Sequence, residues 1–155
     1  MKIRNYDYMK YWRVIRYYYK KKTGLTEPDL DLMFFLYSED EFSKMKFEEF
    51  DTILGWKVTR FQDLLRDGWI SVFRERKLGA KKLYELSPKG KRLINTIYKK
   101  MNGEEIPLDL NNDNVFHKDK LGFNDKRYII MITKMNAEVR KKWHEDHKTT
   151  TTSRS

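Results

Sequence analysis

Apolar residues along this chain recur at helical spacing in every periodic segment but one. Between Gly68 and Ser87 they alternate with polar residues instead. The alternation predicts a single β-hairpin set in a helical chain, with strands over Trp69–Lys77 and Lys81–Leu86 and a tip at Leu78-Gly79-Ala80. Arg74, Arg76, Lys77, Lys81 and Lys82 crowd that tip, and their mutual repulsion is relieved only where solvent or an anion reaches them. The hairpin should therefore project outward.

Helices are expected on both sides of it. Tyr8, Tyr11, Trp12, Ile15, Tyr18 and Tyr19 mark one face of a helix over 8–22 that stops at Gly24. Thr26 is placed to cap a second helix, with Pro28 in its first turn and Leu30, Met33, Phe34 and Tyr37 on one face; Ser38–Glu41 should end it. A short helix over 47–54, Gly55, and a helix over 56–67 closed by Gly68 make a helix-turn-helix. After the hairpin, Ser87 caps a helix with Pro88 at its first position and Leu93, Ile94, Ile97, Tyr98 and Met101 on its apolar face, up to Asn102-Gly103. Residues 104–123, with Pro107 and Gly122, read as a long connection. A last helix over 125–147, capped by Asn124 or Asp125, carries Tyr128, Ile132, Met135, Val139 and Trp143, and Lys148–Ser155 is read as a disordered tail. With 155 residues the chain suits one domain over 1–147, mainly α with a small β wing.

Charge is distributed unevenly. Residues 1–26 carry a net +7, 27–56 carry −7, 57–100 carry +9 and 101–155 carry +1 of the total +10. The basic stretch holding the hairpin would attract a polyanion by counterion release, and double-stranded DNA is the partner it suggests. The plainer alternative is a solvated surface. No cysteine is present, which excludes disulfides, cysteine-based zinc sites and a thiol nucleophile. No Ser/His/Asp order, phosphate-cradling glycine loop or zincin pattern occurs, so neither an enzyme nor a cofactor is expected. His144 and His147 supply at most half of a metal site, and His117 stands alone. Lacking an apolar run of membrane-spanning length and a secretion-signal core, the chain reads as a cytoplasmic protein with no membrane association.

Three stretches, Val58-Thr59-Arg60, Leu64-Leu65-Arg66-Asp67-Gly68-Trp69-Ile70 and Tyr84-Glu85-Leu86-Ser87-Pro88-Lys89-Gly90, resemble the MarR family of winged-helix regulators, with PadR-type regulators next. The likeness covers residues 8–147 in element order and 56–95 in local sequence. It departs from the family pattern in the shorter interval from Gly55 to Gly68 and in Arg74-Glu75-Arg76-Lys77, where an Asp-x-Arg pair often braces the wing. Two alanines among many Lys, Asn and Tyr codons suit an AT-rich, divergent and phage-encoded member.

The resemblance implies a transcriptional regulator that binds duplex DNA as a homodimer through its N- and C-terminal helices, over 1–24 and 124–147, which flank a winged-helix core over 26–103. Tyr11, Trp12, Ile15, Tyr18, Tyr19, Met131, Met135, Val139 and Trp143 would form the dimer contact, although they could equally cover the chain's own core. It also implies a small aromatic ligand held between the dimerisation helices and the DNA-binding lobe. In the candidate recognition helix Leu54, Val58, Phe61 and Leu65 should face the core. Trp56, Lys57, Thr59, Arg60, Asp63 and Arg66 would then face DNA, with Arg60 the first choice for a guanine. Arg74, Arg76, Lys77, Lys81 and Lys82 would meet phosphates. Two rivals stand beside this: a sequence-tolerant architectural binder, and a module gripping an acidic protein such as RNA polymerase.

Overall fold

The computed structural model describes residues 9–108, 115–116 and 118–152. The chain is mainly helical, with one two-stranded antiparallel hairpin among the described residues. Its elements are α1 (Trp12–Thr23), α2 (Glu27–Glu39), α3 (Lys44–Leu54), α4 (Val58–Arg66), β1 (Ile70–Arg74), β2 (Leu83–Leu86), α5 (Pro88–Met101), a 3₁₀ turn (Lys118–Lys120) and α6 (Phe123–Thr152). They form two compact units, Leu25–Thr96 on one hand and Met1–Gly24 with Ile97–Ser155 on the other. The division falls inside α5, whereas the sequence suggests one domain with a core reaching residue 103.

In the Leu25–Thr96 unit local chemistry sets most boundaries. The Thr26 hydroxyl accepts the Asp29 N–H while the Asp29 carboxylate accepts the Thr26 N–H, a reciprocal cap that starts α2. Ser43 caps α3 by accepting the Lys46 N–H, three residues before the start expected from periodicity. Gly55 ends α3 in the left-handed region, at φ 72°. Ser87 accepts the Gly90 N–H at 3.0 Å and Pro88 opens α5, as the sequence predicts. A Cβ at Gly90 would lie 2.7 Å from the Trp69 carbonyl oxygen, so the turn entering α5 rests directly on the backbone ahead of β1.

The hairpin pairs Ile70 with Leu86, Ser71 with Glu85 and Val72 with Tyr84, then loses regular register before Arg74 meets Leu83. Both strands are shorter than the alternation predicts. Phe42 bonds Tyr84 in both directions, at 2.8 and 2.7 Å, adding a one-residue bridge beside β2. Phe42, Phe47, Phe61 and Tyr84 pack with ring centroids 5.0–6.2 Å apart, tying the segment before α3, α3, α4 and β2 together. This order of three helices, hairpin and helix is compatible with a winged helix.

In the second unit α1 begins at Trp12, and Tyr8 lies outside the described residues. Asp125 is buried near the start of α6 and accepts the Tyr17 hydroxyl and the Gly122 N–H, with the Lys21 ammonium 2.6 Å away. The Asn136 side chain both accepts from and donates to the backbone of Ile106, at 2.9 Å each, strapping the connection after α5 to α6. Tyr18 donates to the Pro107 carbonyl and Tyr11 to Glu138. Helix α6 continues to Thr152, into the stretch the sequence assigns to a tail. No helix of the described residues is long and apolar enough to cross a membrane.

Candidate nucleic-acid interface

The aromatic cluster holds the hairpin beside the N-terminus of α3, and a groove of about 610 Å³ opens between them. Lys44, Arg76, Lys77, Lys81 and Lys82 line it, together with Ser43 and Tyr84, and no carboxylate among the described residues does. The α3 N-terminus adds the positive end of its dipole to the same space. Of the five cations, Lys82 lies 3.6 Å from Glu75, a loose exposed pair, and 5.6 Å from the Tyr84 ring centroid. Arg74 stands apart from the groove lining and donates to the Lys81 carbonyl at 3.4 Å. The sequence reading missed Lys44, because the Phe42–Tyr84 bridge and the aromatic cluster that bring that helix start to the wing are tertiary contacts.

Helix α4 differs more from expectation. Phe61 and Leu64 are its buried residues and Val58 and Leu65 are half-buried, while Leu54, expected in the core, is exposed at the end of α3. Leu54 falls outside the buried stripe because the backbone turns at Gly55 and breaks the helical phase that would have joined it to Val58. Arg60 is turned toward α2. Its Nη1 donates to Asp29 at 2.6 Å and to Thr26 at 3.1 Å, both in the cap of α2, and three-quarters of the side chain is covered. The Trp56 ring packs 5.2 Å from Phe35, which in turn meets Phe50 at 4.7 Å, so Trp56 is a half-buried packing residue.

Lys57, Thr59, Gln62, Asp63 and Arg66 remain exposed on α4. Gln62 was passed over by charge-based reasoning, although a carboxamide can read adenine. Arg66 lies 3.2 Å from both Asp63 and Asp67, which hold its pKa above the ordinary value, Asp67 most of all.

No family model, curated protein or solved structure matches this chain.

At the start of α5, Lys89 donates to the Asp67 carbonyl and sits 3.9 Å from the Trp69 ring centroid, and Lys91 pairs with Glu85 at 3.0 Å. Their charges serve the fold locally. Of the residues expected at a dimer contact, Tyr11, Ile15, Tyr18, Tyr19, Met135 and Val139 are buried within the single chain, Trp12 is half-buried, and Met131 and Trp143 are exposed. A recess of about 430 Å³ beside Trp143 is lined also by Val139, Arg140, His144 and Glu105. No cluster of three or more metal-ligating side chains occurs among the described residues; His117 and the His147 side chain lie outside them.

Proposed function

We propose that this chain is a winged-helix DNA-binding protein that regulates transcription by occupying its site, with the groove between the hairpin and α3 seated on the sugar-phosphate backbone. The observation that carries the reading is the convergence of five cations from two elements on one groove with no carboxylate of the described residues in its lining. A row of phosphates offers matching charge at regular spacing, and backbone contacts of this kind supply affinity and register. Lys57, Thr59, Gln62 and Asp63 on α4 are the side chains available to bases.

Arg60 being engaged elsewhere, and Arg66 lying between two carboxylates, gives weight to a second reading in which binding is sequence-tolerant. A homodimer on a two-fold site would rest on Met131, Trp143 and neighbouring exposed apolar residues of α6, since most of the expected contact is already covered.

Selection of bound duplexes from a random pool tests these readings together. Enrichment of a sequence supports the regulator, and enrichment of an inverted repeat with half-sites about 10 bp apart supports the dimer. Retention without enrichment supports the architectural binder. If binding by wild type and by the Lys77→Ala/Lys81→Ala variant is indistinguishable, the groove is not the interface.

A further inference from the structure

We propose that Arg60 is a positioning residue: it pins the first turn of α4 to the cap of α2 through Asp29 and Thr26, and so orients the exposed side chains of α4 without itself touching nucleic acid. The inference rests on the DNA-binding reading only for its consequence in binding; the clamp itself is testable in the free protein.

Three features of α4 carry it. The helix has nine residues, and its N-cap residue, Lys57, makes no side-chain capping bond. So short and uncapped a helix takes its orientation from tertiary contacts rather than from its own propensity. Phe61 and Leu64 anchor one side of it to the core, which leaves rotation about that apolar line and the lie of the first turn to be set by something else.

Arg60 reaches 31 positions back in sequence to do so, from a side chain three-quarters covered to a carboxylate whose own side chain is 16% exposed. Asp29 is well placed for this task. Its other oxygen accepts the Thr26 N–H at 2.9 Å, so it is itself fixed by the α2 cap, and Thr26 offers its hydroxyl to the same Nη1. Among the described residues the fork is used from one nitrogen only, and Arg60 Nε is buried with no hydrogen-bond partner. Bidentate recognition of guanine takes two N–H donors along one guanidinium edge, and each edge of Arg60 has lost one of its pair. Here one donor is spent on a carboxylate and another is shut away.

That one-sided use makes Lys the discriminating substitution. Arg60→Lys keeps a single cationic donor for Asp29 and deletes the orphaned N–H, whereas it removes any bidentate base contact. Asp29→Asn keeps an oxygen for the Thr26 N–H but removes the charge that holds Arg60.

The experiment measures amide hydrogen exchange in the free protein and affinity for duplex DNA, of selected and random sequence, for wild type, Arg60→Lys, Arg60→Met and Asp29→Asn. The clamp predicts faster exchange at the amides of residues 58–62 in Asp29→Asn and Arg60→Met, and near wild-type exchange in Arg60→Lys. It predicts that affinity falls about tenfold in the first two, the loss of a charge-assisted bond, while Arg60→Lys keeps both affinity and base preference. Exchange that is unchanged in Asp29→Asn overturns the clamp. So does loss of preference at one base position in Arg60→Lys, which would make Arg60 a reader, and so does tighter binding by Asp29→Asn, which would make Asp29 an inhibitor of Arg60. If exchange quickens as predicted but wild type retains no duplex, the clamp stands and the DNA-binding reading falls.

Discussion

Asp29 and Asp125 each organise a helix start in one of the two units, and their environments act on them in the same way. Burial alone would raise the pKa of either carboxyl. At Asp29 the Thr26 N–H and hydroxyl, and then Arg60, outweigh it; at Asp125 the Lys21 ammonium, the Tyr17 hydroxyl and the Gly122 N–H do so, and both carboxyls end below their ordinary value of 3.8. A depressed folded-state pKa contributes stability that is fully present above the unfolded value and is lost as pH falls through the folded one. Urea denaturation should therefore show stability declining below about pH 4, with a shallower decline in Asp125→Asn, which at neutral pH should cost about 1–3 kcal/mol. Tyr17 has the opposite sign. Burial first, then its bond to Asp125, pushes the phenol from 10.0 to about 12, so its contribution is present below pH 10 and is lost as pH rises toward 12. Tyr17→Phe should flatten that alkaline limb, read by the same denaturation series.

Secondary structure was legible wherever its cause is local. Thr26 with Pro28, Ser87 with Pro88, and glycines at 55 and 68 mark helix ends within a few residues of the groups they bond, and all four stand where sequence places them, although the reciprocal bond from Asp29 to Thr26 was not read there. The strands came out shorter because alternation continues through residues whose partner strand has drifted out of register after Val72, leaving Phe73 and Leu78 exposed. Distant pairings left no trace in sequence: nothing near Arg60 announces Asp29, and nothing near Lys44 announces the wing. Gly90 lies between these cases, since its place after Ser-Pro-Lys is visible but its reason, the Trp69 carbonyl beneath it, is tertiary. Gly90→Ala puts a methyl against backbone that cannot turn aside as a side chain does. It should destabilise the protein by about 1–3 kcal/mol despite the better helix propensity of alanine, measurable as a lowered denaturation midpoint with unchanged slope.

Over the whole molecule, the net charge and the candidate interface reside in different places. The Leu25–Thr96 unit contains thirteen Lys and Arg against thirteen Asp and Glu, so the full +10 belongs to Met1–Gly24 and Ile97–Ser155, with twenty against ten. The groove is therefore made by segregation within a neutral unit: acids over α2 and the body of α3, cations over the hairpin and the α3 N-terminus. A general excess of charge speeds encounter with a polyanion, whereas counterions are released only where cations touch phosphates. Five groove cations should give a slope of about −4 to −5 for log K against log salt on duplex DNA. Two variants of equal charge separate the contributions. Lys77→Gln/Lys81→Gln should make the slope shallower by about 2 and weaken binding to every sequence. Lys134→Gln/Lys141→Gln, on exposed positions of α6, should leave the slope nearly unchanged and act mainly on the association rate at low salt. Equal losses from both variants would mean that diffuse charge, rather than the shaped groove, holds the nucleic acid.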